Sequence, residues 1–122
     1  MSYIDGFVCP VPTENKEKYV EHAKEIGEYF IKYGALEWIE CWGNDVPEGG
    51  VTSFPMAVKL EPNETVVFAW IVWPSKQIRD ENVEKLMTEP VFSDEGAKMP
   101  FDGKRMIMGG FDVVARSTAD GS

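Results

Sequence analysis

The sequence predicts an α+β domain on three observations. One long stretch carries a single apolar stripe at helical spacing. Several shorter runs are rich in aromatic and β-branched residues. Read in order, these segments run strand, helix, two or three strands, helix, strand. A chain of 122 residues accommodates one such domain, expected over residues 1–116 with a flexible C-terminal tail at 117–122.

Residues 3–9 read as the first strand, short and aromatic, closed by Pro10-Val11-Pro12. A helix follows, with Thr13 as N-cap, Glu14 and Glu17 in the acidic first turn and Gly34 as the residue after the C-cap. Between these signals Tyr19, Ala23, Ile26, Phe30 and Tyr33 recur every three or four residues and form the inward stripe. Residues 35–42 have strand character, although Glu37 and Glu40 fall on opposite faces and blur the alternation. Residues 43–50 are turn chemistry throughout, and residues 54–60 read as a weak strand demoted to an edge by Pro55. Glu61-Pro62-Asn63-Glu64 predicts a tight turn before the strongest strand, residues 65–73. Pro74 stops that strand, and Ser75 caps a second helix reaching about Thr88, with Ile78, Asn82, Val83, Leu86 and Met87 facing inward. A connector over residues 91–100 and a turn at 101–104 lead into a last strand, residues 105–115. The simplest fold with this order is a ferredoxin-like sandwich, an antiparallel sheet with two helices on one face.

Composition narrows the partners. Twelve Lys and Arg against twenty-one Asp and Glu leave a net charge of −9, which disfavours nucleic acid and anionic membrane surfaces. The longest apolar run, residues 66–73, is too short to span a bilayer, and the N-terminus lacks the pattern of a signal peptide. Two cysteines without a C-x-x-C motif fit reduced thiols, so a cytoplasmic location is expected.

Residues 66–73 are apolar on both parities, and residues 106–114 repeat the pattern. An antiparallel strand with one wet face alternates, whereas an unbroken apolar run implies cover on both faces. Two helices cover one face. Leaving several large side chains wet on the other would forgo about 1.5–3 kcal/mol each. An identical subunit packed sheet to sheet, giving a dimeric α+β barrel, is the expected cover. The alternative is that residues 43–52 fold back over the open face.

Four motifs in order, Tyr3-Ile-Asp-Gly-Phe-Val, Trp42-Gly-Asn-Asp-Val-Pro, Trp70-Ile-Val-Trp-Pro-Ser-Lys with Arg79-Asp80, and the run from Met99 to Phe111, resemble domain of unknown function family 1428, the YbaA-like bacterial proteins. The resemblance spans residues 3–114. It implies the dimeric α+β barrel fold, shared with small monooxygenases, isomerases, haem-degrading enzymes and stress-response proteins. It transfers no catalytic residue, because chemistry resides in sites rather than folds. The haem-degrading relatives carry a histidine on the second helix, where this chain has none.

Candidate site residues divide by chemistry. His22, the only histidine, lies beside the helical stripe and suits acid–base work or a surface role; without a second ligand at metal spacing it is a weak metal signal, and no metal or cofactor is expected. Cys9 and Cys41 read as buried, inert thiols. Lys104 and Arg105 are candidates for holding an anion, against an ion pair of Arg105 with Asp45 or Asp102 that fixes the loops. Lys76 and Arg79 open the second helix at the other end of the sheet. Trp38, Trp42, Trp70 and Trp73, with Tyr19, Tyr29, Tyr33 and Met108, can line a pocket for a flat ligand or simply pack the core. Gly109-Gly110 inside a strand predicts a bulge or a close approach.

The expected function is that of a homodimer binding a small apolar or aromatic molecule between helices and sheet. The alternatives are a cofactor-independent monooxygenase or isomerase of an activated aromatic substrate, with His22, Arg105 and Asp5 as candidate acid–base or enolate-stabilising groups, and a purely structural or partner-binding protein.

Overall fold

The computed structural model describes residues 2–92 and 99–121. The apolar and capping patterns place β1 (Tyr3–Pro12), α1 (Lys16–Lys32), β2 (Glu37–Trp42), a one-turn α2 (Phe54–Ala57), β3 (Glu64–Trp73), α3 (Lys76–Leu86) and β4 (Ile107–Asp112) in that order. The four strands form one antiparallel sheet ordered β2-β3-β1-β4. The doubly apolar β3 and the first strand therefore hold the centre, while β2 and β4 form the edges.

The sheet register sorts every side chain to a face. Tyr3, Phe7, Cys9, Val11, Val67, Ile71 and Trp73 share the face that α1 and α3 cover. Trp73 and Leu86 are fully buried there, packed with Ile26 and Phe30 of α1. The α1 stripe is as expected: Tyr19, Ala23, Ile26 and Phe30 are buried, and Gly34 follows the helix at φ 104°. Ser75 caps α3 by accepting the Ile78 N–H at 3.1 Å, and the Glu64 N–H closes the expected turn on the Glu61 carbonyl at 3.0 Å.

Several expectations are corrected. The first strand runs through the prolines to Pro12, because β4 begins only opposite Val8 and β1 has only β3 beside it from there on. On that open side a missing N–H costs no ladder bond. Thr13 does not cap the helix; its hydroxyl meets that of Thr65 at 2.8 Å, and α1 starts three residues later. The weak strand expected at residues 54–60 is instead helical at Phe54–Ala57. Ser53 Oγ caps it, and Pro55 occupies the first turn, where no N–H is needed. The last strand is shorter than 105–115, since Gly103–Arg105 form a 3-10 turn and pairing ends at Asp112. Of the expected connector, Pro90–Phe92 form a 3-10 turn and residues 93–98 lie outside the described residues, as does position 122 of the tail.

The second sheet face is covered in part. Val58, Val46 and Leu60 pack on Val8 and Val66, so the 43–60 segment folds back over one end. Phe68, Ile107 and Phe111 stay exposed around a groove of about 830 Å³ that Ile4 and Trp70 also line.

Candidate functional site

Alternation on β2 points Trp38, Glu40 and Trp42 to the helical face, beside β3's Ile71, Ala69 and Val67. Opposite them α1 presents Tyr19, Val20, Ala23 and Lys24 at helical spacing. Between the two elements lies a cavity of about 230 Å³ with a mostly apolar lining. Trp38 reaches α1 because position 27 is glycine: a Cβ there would stand 2.8 Å from its indole Cδ1. On its other flank Trp38 packs on Phe30, ring centres 4.8 Å apart. Tyr19 and Trp42 lie 6.3 Å apart at 51° and form the opposite wall.

Besides Lys24, the charged residue in this cavity's lining is Glu40. Its carboxylate accepts the Tyr19 hydroxyl hydrogen bond. Burial raises the Glu40 pKa above the usual carboxyl range, an effect the Tyr19 and Trp38 donors partly offset. The Trp38 indole N–H is itself buried and completes no hydrogen bond of normal geometry among the described residues. Tyr19 also stands 3.8 Å from Cys9 Sγ; burial pushes that thiol up to about 11 and the Tyr19 phenol higher still than its ordinary value. Cys9 is thus a buried, unreactive group, whereas Cys41 is exposed, correcting the expectation that both thiols are buried. Glu40 escaped the sequence reading as a site residue. Its signal was there, an acid between two tryptophans on the parity that faces the helical stripe.

The other candidates lie elsewhere. Trp73 is buried in the core, its indole N–H donating to Asp5 Oδ2 at 2.9 Å. Burial raises the Asp5 pKa against the pull of Arg79, whose Nε lies 3.8 Å away. Arg79 also donates to the Tyr3 hydroxyl at 2.9 Å and stacks on that ring. The Tyr3 phenol lies over Gly110, where a Cβ would stand 2.7 Å from ring carbon Cζ, so this glycine serves a close approach. Trp70 is on the opposite sheet face, and Met108 is exposed on β4, away from the cavity.

Arg105 is engaged by a two-pronged pair with Glu64 at 2.6 and 2.7 Å, by Asp102 at 2.9 Å and by the Lys59 carbonyl at 3.0 Å. The loop-fixing pair with Asp102 is present, and Glu64 stands where Asp45 was expected. Lys104 is exposed beside it. His22 is half-buried on α1; burial lowers its pKa, with Glu25 opposing. The structure therefore brings Tyr19, Trp38 and Trp42 together and leaves Trp70, Trp73, Met108, Lys104, Arg105, Asp5 and His22 outside their cavity. Among the described residues no three metal-ligating side chains gather, and no helix is long and apolar enough to cross a membrane.

The family model "Protein of unknown function (DUF1428)" matches residues 2–103. "Uncharacterized protein YbaA" of Escherichia coli strain K12 is 52% identical over 114 residues, covering 93% of this chain and 97% of the relative. The protein of the same name from Shigella flexneri matches to the same extent. Among solved structures, "De novo designed protein Foldit4" aligns over 93% of this chain and 99% of its own at a TM-score of 0.46 and 13% identity.

Proposed function

The chain belongs to the DUF1428 family of proteins of unknown function, so its activity must be argued from its own geometry, and we propose that it binds a small apolar or aromatic molecule in the cavity between α1 and β2. The carrying observation is the cavity itself, three aromatic rings closing on one half-buried carboxyl. Its 230 Å³ lies below the ~300–1,000 Å³ of drug-sized sites, which suits a ligand of one ring with a short substituent.

The binding unit is a homodimer of ferredoxin-like sandwiches, joined through the open sheet face as an α+β barrel. The strand order and the apolar side chains at Ile4, Phe68, Trp70 and Phe111 support this reading. A second copy also suits the charge, since a mostly apolar patch is where two acidic chains repel least. The two free thiols fit a cytoplasmic setting.

Proton-transfer chemistry on an activated aromatic substrate is the competing reading, favoured by Glu40 alone, whose burial moves its pKa toward the range useful to a general base.

Tryptophan fluorescence tests the binding reading. One-ring aromatic ligands should quench wild type saturably. Ala23→Leu, which fills the cavity from α1, should abolish the effect while leaving the far-UV spectrum unchanged. Absence of saturable binding, or binding indifferent to Ala23→Leu, would remove the cavity from consideration.

A further inference from the structure

We infer that the ligand of the α1/β2 cavity is an organic cation, an amine or quaternary ammonium carried on an apolar body. This rests on the binding reading above and adds the charge of the ligand. Trp38, Glu40 and Trp42 project from alternate positions of β2, and α1 returns Tyr19 from the facing side. Three π-systems therefore surround one carboxylate. Aromatic faces attract cations through their quadrupoles, and a carboxylate among them adds a full opposite charge. The outer Trp42 ring already holds an ammonium, Lys16 Nζ, 5.5 Å from its centre.

What the cage lacks is a counter-ion. Among the described residues the other half-buried acids are matched: Glu64 has Arg105 in two-pronged contact, Asp5 has Arg79 at 3.8 Å and Glu89 has Lys32 at 3.7 Å. Glu40 has two neutral donors beside it and no ion pair among the described residues. A carboxylate held in apolar surroundings is costly unless it is paired or protonated. A cationic ligand supplies the missing partner, and the net charge of −9 concentrates cations around the protein. Lys24 also lines the cavity and would suit an anion, but it forms no ion pair with Glu40, and an anion in the cavity would share it with that carboxylate.

Three probes of one shape decide the charge. Phenethylamine, 2-phenylethanol and 3-phenylpropanoate are titrated at pH 7.5 by calorimetry into the full-length protein. The amine should bind at least tenfold more tightly than the alcohol, and the acid least tightly. Glu40→Gln should collapse the amine's advantage to within about twofold. Trp42→Leu, which keeps the carboxylate and removes one ring, should weaken the amine more than the alcohol. Equal affinities, or a preference for the acid, would overturn the charge assignment and leave the cavity reading standing. If none of the three binds and Ala23→Leu also changes nothing in the fluorescence assay, both fall together.

Discussion

Glu40 is the residue on which stability and function oppose each other. Its carboxyl has a raised pKa in the folded protein, set mainly by burial. Between the ordinary value of 4.5 and the raised one, the folded state therefore binds more protons than the unfolded chain. By linkage, stability falls as pH rises through that window, and the penalty stays in place above it. Glu40→Gln removes the ionisation while keeping an oxygen for the Tyr19 hydroxyl. The variant should melt a few degrees above wild type at pH 7, and the two curves should converge below about pH 4.5, where both side chains are neutral. Differential scanning calorimetry from pH 4 to 8 checks this; a variant less stable than wild type at pH 7 would show that the carboxylate stabilises the fold. A stabilising substitution at a candidate binding residue is what a retained, functionally constrained group predicts. Arg105, among the other polar candidates, does not share this tension. Arg105 lowers the pKa of Glu64 through direct hydrogen bonds and ties the 3-10 turn to β3, a role that stabilises without leaving a free charge for a ligand.

At the scale of elements, the parts legible in the sequence were those with a local signal. The α1 stripe, the Ser75 cap, the Glu61–Glu64 turn and the doubly apolar β3 each carry their own chemistry within a few residues. What escaped was set by neighbours. Pro10 and Pro12 read as a stop because nothing local says that β4 begins only opposite Val8. Pro55 read as a broken strand because proline is as compatible with a helix's first turn as with a sheet edge, and Ser53 decides only once its Oγ meets the Met56 N–H. The site was half legible for the same reason. Parity paired Trp38 with Trp42, but only the register of β2 against β3, which sets Trp70 opposite Ile39, shows that Trp70 looks away from them. The 43–60 segment, read as a loop and a weak strand, is a lid over one end of the second face. Val58 is 1% exposed beneath it. Val58→Ala removes two buried methyl groups at about 0.8 kcal/mol each and leaves a small cavity, so urea unfolding should show a loss of about 2 kcal/mol. A loss below ~0.5 kcal/mol would mean that the segment rests on the sheet without contributing to its stability.

The whole molecule faces an imbalance that no single element resolves. Its helices shelter one sheet face, its 43–60 segment shelters one end of the other, and the remainder presents Phe68, Ile107 and Phe111 to water. Phe111 is 60% exposed and Val114, just past the last strand, 89%. Contiguous apolar surface of this kind marks an interaction site more often than a solvated one. The register carries the patch across β3, β1 and β4, which suits a second sheet laid against it about 10 Å away. Phe111→Glu isolates this claim from folding, because the side chain is mostly outside the protomer's own core. Sedimentation equilibrium at micromolar concentration should give twice the 13.7 kDa protomer mass for wild type and the protomer mass for the variant. The variant should keep the wild-type near-UV spectrum and the Glu40 cavity on its far face. A wild type that sediments as a protomer would leave the exposed phenylalanines without a covering copy. A variant that stays dimeric would move the contact off this face.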